Sequence, residues 1–408
     1  MGSMLDYLDW RGDISLSYSL FNDVDSLILS ALSYVNFDGI VPAPGAGEIS
    51  LSEAAGAFFA AHTEEELAES KTLIAYAPYI LKKVVGTVRF GDMKLRSYVN
   101  IVREEENLQF SALEFVTDDG VSFVSYRGTD DTIVGWKEDF LMSCETVVAD
   151  KYAVDYLNLI QRNKTGQLRL GGHSKGGHLA IYAAALTDPE IAARIEAVWS
   201  HDGPGFNEEF MKNEGLARIT PKIRKFIPDT SVIGMLLENP TEPNIVVSNE
   251  KGVMQHAPLS WQILGASFVP APGLSDAGQV FDDTFRSWIY SFDEEGRRAF
   301  IDDFFAVLEA PGYQTLTEYQ EGGLKAIAAS YERVKRLDPT TQEKIRMLFK
   351  IFGGEVAEQL RESWPKFSLW EMFQNMRLRD ARGGRPGIEA EDDAVNEDEP
   401  DSDAETVT

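Results

Sequence analysis

Ser174 stands in Gly172-His173-Ser174-Lys175-Gly176-Gly177, and Gly-x-Ser-x-Gly is the spacing of a serine set up for nucleophilic attack. A serine hydroxyl is a poor nucleophile near neutral pH. It needs a histidine within hydrogen-bond reach, and that histidine is usually oriented by a carboxylate. The glycines let other backbone pass close to a serine held on a tight strand-to-helix turn. A helix beginning beside the serine aims free backbone N–H groups at any oxyanion formed there. The bland use of the same segment is a tight connection in a layered sheet, with Ser174 as a helix N-cap. The chemistry written into the spacing is acyl transfer through a covalent serine intermediate.

Histidine candidates are few, because the chain has five. His62 has no partner in sequence and reads as a surface residue. His173 is the serine's neighbour, pointed elsewhere by the turn. His178, four residues along the same helix, reads as a packing residue. Where a serine rides on such an elbow, the chain order is serine, acid, histidine, which leaves His201 and His256. His201 ends a strand with Asp202 beside it, and adjacent strand residues point to opposite faces, so the two cannot easily serve one serine together. His256, in the loop after the last clear strand, is the expected base. Asp229, following Phe226-Ile227-Pro228 at a strand end, is the expected acid; Asp202 competes, its plainer role being a turn with Gly203 and Pro204. The expected oxyanion donors are the Lys175 N–H and the Arg127-Gly128-Thr129 strand end, where the Thr129 hydroxyl adds a side-chain donor.

These residues need a scaffold, and the hydropathy pattern supplies one. Leu168 to Leu170 reads as a buried strand, and Leu179 to Ala185 as a good helix former. Upstream, Gln109–Val116 and Val121–Tyr126 flank Thr117-Asp118-Asp119-Gly120, a hairpin signal, with a further strand over Lys94–Val102. Residues 148–162 form an amphipathic helix. Short strands recur at Glu196–Ser200, Lys222–Pro228 and Asn244–Asn249. Strands alternating with helices predict a mostly parallel α/β sheet with functional loops at the strands' C-terminal ends. Before residue 94 the pattern is helical, over Asp23–Val35, Ala54–His62 and Glu64–Tyr76, with Thr63-Glu64-Glu65-Glu66 as a capping box. From about Ser275 to Arg379 it is helical again, and the aromatic stripe around Phe300–Phe305 reads as core rather than as a lipid groove.

The chain has 408 residues, with Lys plus Arg 38 against Asp plus Glu 66, for a net charge of −28. That balance disfavours nucleic acid and anionic membranes as partners. Ten acidic and no basic residues fall in the last 21 positions, Ile388–Thr408, so that tail is expected to be disordered. Cys144 is the only cysteine, which rules out an intramolecular disulfide. The N-terminus lacks a signal peptide's apolar run, and no apolar stretch reaches 18 residues, so no membrane span is expected and the cytoplasm is the expected location.

Taken together, Tyr126-Arg127-Gly128-Thr129, Trp136-Lys137-Glu138-Asp139 and Gly172-His173-Ser174-Lys175-Gly176-Gly177 resemble the fungal-type (class 3) triacylglycerol lipases. A bacterial group of uncharacterised lipase-like α/β hydrolases is a closer match. It shares Asp6-Tyr7-Leu8-x-Trp10-Arg11-Gly12-Asp13, Gln109-Phe110-Ser111-Ala112, Gly135-Trp136-Lys137-Glu138-Asp139 and Gln255-His256, over roughly residues 5–265. The resemblance implies the α/β-hydrolase fold, with helices on both faces of the sheet, and acyl-ester hydrolysis. It carries over Ser174, Asp229, His256 and Thr129. The implied organisation is an N-terminal helical segment and cap over 1–93, a catalytic core over 94–268, a C-terminal helical segment over 269–380 and the acidic tail over 381–408. A small acyl substrate is the expected partner, with neither cofactor nor metal. A thioesterase, a peptidase or a non-catalytic binding protein could use the same scaffold. Gly203-Pro204-Gly205-Phe206 stands where class 3 lipases have a Pro-Arg-Val-Gly stretch, and secretion signal and disulfides are missing, which turns the expectation away from long-chain triacylglycerol.

Overall fold

β5 (Leu168–His173) is buried along its whole length and lies within an eight-stranded sheet. The computed structural model describes residues 2–69, 74–106, 108–130, 132–142, 146–276, 278–279, 293–339, 341–342 and 345. The other strands are β1 (Glu48–Ser50), β2 (Lys94–Arg103), β3 (Leu108–Val116), β4 (Ser122–Tyr126), β6 (Ile195–His201), β7 (Ile223–Pro228) and β8 (Asn244–Val246). They lie side by side in chain order; β1 to β4 pair antiparallel, and β4 to β8 pair parallel. The β3–β4 hairpin closes on the Asp-Asp-Gly turn, where Gly120 takes a φ of +77°.

Five parallel strands laid down in one direction require crossovers of one hand, which puts their helices on one face. Those helices are α6 (Ile133–Leu141), α7 (Val148–Gln161), α8 (Lys175–Leu186), α9 (Pro189–Arg194) and α10 (Glu214–Ile219), and α8 packs between α7 and α10. Every residue of α8 from Lys175 to Ala185 is buried. Its alanines and glycines allow that, because the helix must lie close to β5 and β6 while accepting neighbours on both flanks.

The opposite face is covered from the N-terminus. α2 (Asp23–Leu32), capped by Asn22, packs across β4, β5 and β6, and all its residues but Asp23 are buried. Residues before 94 also add β1 to the sheet edge beyond β2, with α3 (Leu51–Ala61) packed against both strands, and supply α1 (Met4–Arg11), α4 (Glu64–Glu69) and α5 (Ala77–Val84). Buried Asp25 pairs with Arg89, whose guanidinium also donates to the carbonyls of Ile14, Ser19 and Leu20, fastening the first 25 residues to the segment that leads into β2. After β8 comes a two-stranded hairpin, β9 (Ile263–Leu264) with β10 (Ser267–Phe268). Beyond it α11 (Glu294–Glu309), α12 (Leu316–Glu321) and α13 (Gly323–Val334) follow. Phe300, Ile301, Phe304 and Phe305 are core, and Phe140 of α6 meets Phe304 in a tilted contact and Phe305 edge-on. The tail, and the Val280–Ile289 part of the C-terminal helical pattern, lie outside the described residues.

Candidate active site

The tip of β5 turns sharply into α8 at the sheet's C-terminal edge. Ser174 has φ +59° and ψ −137°, a conformation that a residue with a Cβ rarely adopts, and α8 begins at the next residue. Neighbouring backbone holds it there. The Ser174 N–H donates to the His201 carbonyl at 2.9 Å, and the Ser174 carbonyl accepts from the Gly177 N–H at 2.8 Å. A Cβ on Gly172 would lie 2.2 Å from the Gly176 carbonyl carbon, and one on Gly176 would lie 2.0 Å from the Tyr126 carbonyl oxygen. Both glycines are therefore required by contact. Lys175 and Gly176 occupy the first turn of α8, where backbone N–H groups have no acceptor within the helix.

His256 closes a short 3₁₀ turn, Gly252–His256, and its ring Nδ1 lies 2.6 Å from Asp202 Oδ2. Asp202 is fully buried. Its backbone N–H donates to the Phe226 carbonyl at 2.8 Å, and its Oδ1 accepts from the Ser231 hydroxyl and from the Gly234 N–H at 3.2 Å. It is an acceptor-only carboxylate whose two oxygens are both used. The expectation that Asp229 would orient His256 is not met by this geometry: Asp202 is the carboxylate on the imidazole. Asp229 instead accepts from Gln255 Nε2 at 2.8 Å and from the Thr230 hydroxyl, while Gln255 Oε1 accepts from the Thr230 N–H. Asp229 thus fastens the residue before His256.

The His256 main chain is also tied to the elbow. His173 Nε2 lies 2.8 Å from the His256 carbonyl and its Nδ1 lies 2.9 Å from the Tyr34 hydroxyl, so the Nε2–H tautomer, accepting from Tyr34, satisfies both. Burial, then the neighbouring His256, hold the His173 pKa well below that of a free imidazole, so it stays neutral. His201 turns to the other face, towards Ser26 of α2 at 2.8 Å. His178 sits against Gly205 and Asp150, stacked on Phe206, in a packing role.

Gly128 lies against the serine: a Cβ there would be 2.9 Å from Ser174 Cβ and 2.2 Å from the Tyr34 hydroxyl. Thr129 follows, but its hydroxyl donates to Asp139 Oδ2 at 2.5 Å. That proton is committed to a carboxylate, so the hydroxyl does not stand as the oxyanion donor expected of it. The Lys175 side chain turns inward, donating to Glu138 at 2.8 Å and lying 3.6 Å from Asp139. Burial, partly offset by Lys175 and Thr129, raises the Asp139 pKa to about 6. Burial would lower the Lys175 pKa, but Glu138 and Asp139 more than offset it. Glu138 also accepts from the Gln109 and Ala149 N–H groups. One buried ionic cluster thus joins the start of α8, α6 and the Thr129 loop. The motif Trp136-Lys137-Glu138-Asp139 contained it, but nothing in the spacing showed where Lys175 would turn.

The residues match known proteins as follows. A family model described as Mbeg1-like matches residues 84–306. A search of curated proteins finds no match. Among solved structures, the lipase of Rhizomucor miehei in its propeptide complex is similar at 14% identity and a TM-score of 0.28, covering 38% of this chain and 58% of that one. The chain thus spans little more than half the length of that lipase. The M37 lipase is similar at 15% identity and a TM-score of 0.32, covering 51% of this chain and 68% of that one.

Proposed function

The chain belongs to the Mbeg1-like family, a lipase-like family, and from the geometry of its site we propose that it is a serine hydrolase cleaving acyl esters. The observation that carries this reading is the 2.6 Å contact between buried Asp202 and His256, whose carbonyl is held by the ring of His173, the residue before a serine at positive φ. In the proposed reaction His256 Nε2 takes the proton of the Ser174 hydroxyl as Oγ bonds to the acyl carbon. The carbonyl π pair moves onto oxygen, which is held by the backbone N–H groups of Lys175 and Thr129. Collapse of that intermediate breaks the ester C–O bond, and the leaving alkoxide takes the proton from His256. A water then attacks the acyl-enzyme by the same route and releases the acid. Asp202 keeps the imidazole in the Nδ1–H tautomer and supports its protonated form. Asp229 acts through Gln255 as a support of the His256 turn.

The test is active-site labelling. A fluorophosphonate probe should label the wild-type protein and leave Ser174→Ala unlabelled, and short-chain p-nitrophenyl esters should be turned over only by the wild type. Equal labelling of the two proteins, or none of either, would sink the reading.

A further inference from the structure

Lys225 of β7 is fully buried, and the proposed mechanism makes no use of it. Its ammonium donates to the Gly203 carbonyl at 2.6 Å and to Asn239 Oδ1. Gly203 is the residue after Asp202. A Cβ on Gly203 would lie 2.8 Å from the Ser174 carbonyl, so this peptide is wedged against the start of the elbow helix. On the other side, Asn239 Nδ2 donates to the Gly234 carbonyl at 3.3 Å, and the Gly234 N–H donates to Asp202 Oδ1. One cation therefore ties together the two backbone segments that enclose the acid: the turn that leaves Asp202 and the turn whose N–H and Ser231 hydroxyl hold Oδ1.

We propose that Lys225 is the positioning residue of the acid, its buried ammonium fixing the 203 and 234 backbone around Asp202 and compensating the charge that Asp202 presents to His256. A buried lysine is costly, and an apolar residue of similar length would suit a purely structural role in β7 better. Burial pulls the Lys225 pKa down to about 7, and Asp202 is the charge that opposes this shift. Facing His256 are Asp202 from the end of β6 and neutral His173 from β5, whose ring centroid is 4.5 Å away. Removing the Lys225 cation leaves Asp202 less compensated, which favours the protonated imidazole.

The inference rests on the serine-hydrolase reading, and the experiment separates the two. Lys225→Met should fold and still be labelled by the fluorophosphonate, with kcat reduced about 10-fold or more, KM nearly unchanged, and the acidic limb of the kcat/KM–pH profile moved upward by about half a unit or more. Asn239→Ala keeps the cation and removes one anchor. It should lower kcat by less and leave the limb in place. A Lys225→Met enzyme with wild-type kcat and wild-type limb, whatever its melting temperature, would overturn the proposal while leaving the hydrolase reading intact. If Lys225→Met does not fold, wild-type kcat in Asn239→Ala overturns it. Absence of Ser174-dependent labelling in the wild type overturns the hydrolase reading and this proposal with it.

Discussion

Among the described residues five non-glycine positions have positive φ, and two of the five, Ser174 and Asp202, are in the proposed triad. Strain of this kind persists only where surrounding structure over-determines it. At Ser174 the determinants are the His201 carbonyl and the flanking glycines; at Asp202 they are the Phe226 carbonyl and the Gly234 and Ser231 donors. Asp202→Asn should therefore keep the turn but present the wrong group to His256, with a loss of turnover on the scale of the about 10⁴-fold known for such a change. Asp229→Asn should cost about 10-fold or less, since among the described residues its carboxylate accepts from Gln255 and Thr230 and not from His256. Steady-state ester kinetics on both variants, each shown folded by circular dichroism, decides between them; the reverse ranking would return the acid to Asp229. The sequence singled out Ser174 and His256 as candidates by residue type and chain order. It favoured Asp229 over Asp202, although each follows a strand of this sheet and the choice depends on which strand neighbours β5. β6 is that neighbour, and β7 lies one strand further out. The alternation argument that separated His201 from Asp202 is respected by the fold, with His201 on α2 and Asp202 on His256.

At the scale of elements, the strand–elbow–helix unit was legible because glycine spacing and hydropathy period agree there. What hydropathy could not convey is how little room each glycine has. Gly176, with the Tyr126 carbonyl oxygen 2.0 Å from a would-be Cβ, meets backbone that cannot step aside without separating β4 from α8. Gly176→Ala should destabilise by about 3 kcal/mol, near the upper end of overpacking costs, and abolish labelling of Ser174. Gly56, inside α3, has nothing within 4 Å of the same position. Gly56→Ala should stabilise by about 0.5–1 kcal/mol through helix propensity alone. Urea unfolding of the two variants checks the contrast, and a stabilised Gly176→Ala would remove the close-packing argument for the elbow. The N-terminal segment shows the opposite lesson: its helices were readable from caps, yet β1 is three residues long and carries no periodicity to read. Its place at the sheet edge is set by pairing with β2.

At the scale of the whole molecule, burial of neutral histidine decides how the fold responds to acid. His201 is fully buried, with Nε2 on Ser26 and its Nδ1 without a hydrogen-bond partner among the described residues. The Ser26 hydroxyl gives its proton to the Asp23 carbonyl, so His201 must donate from Nε2, and a second proton would sit on Nδ1 with no acceptor. Burial accordingly lowers its pKa from 6.5 to about 3. A depressed histidine contributes stability that is present above the unfolded value of 6.5 and is lost as pH falls towards the folded value of 3. At about 1.36 kcal/mol per unit, arising from proton uptake by the unfolded chain, the fall from 6.5 to 5 removes about 2 kcal/mol through His201. His173, also held neutral by burial, adds to the loss in the same direction. Asp139 opposes it: its folded pKa of about 6 lies above the usual 3.8, so its contribution is complete below 3.8 and fades as pH rises through 6. Two histidines against one carboxylate leave a net loss on acidification. Urea unfolding at pH 7.5 and pH 5 should show the wild type losing on the order of 2 kcal/mol. His201→Gln, which retains a donor for Ser26 but cannot titrate, should lose clearly less over the same interval. An equal loss in both proteins would mean that His201 does not carry the acid sensitivity and that its proton is taken up without unfolding.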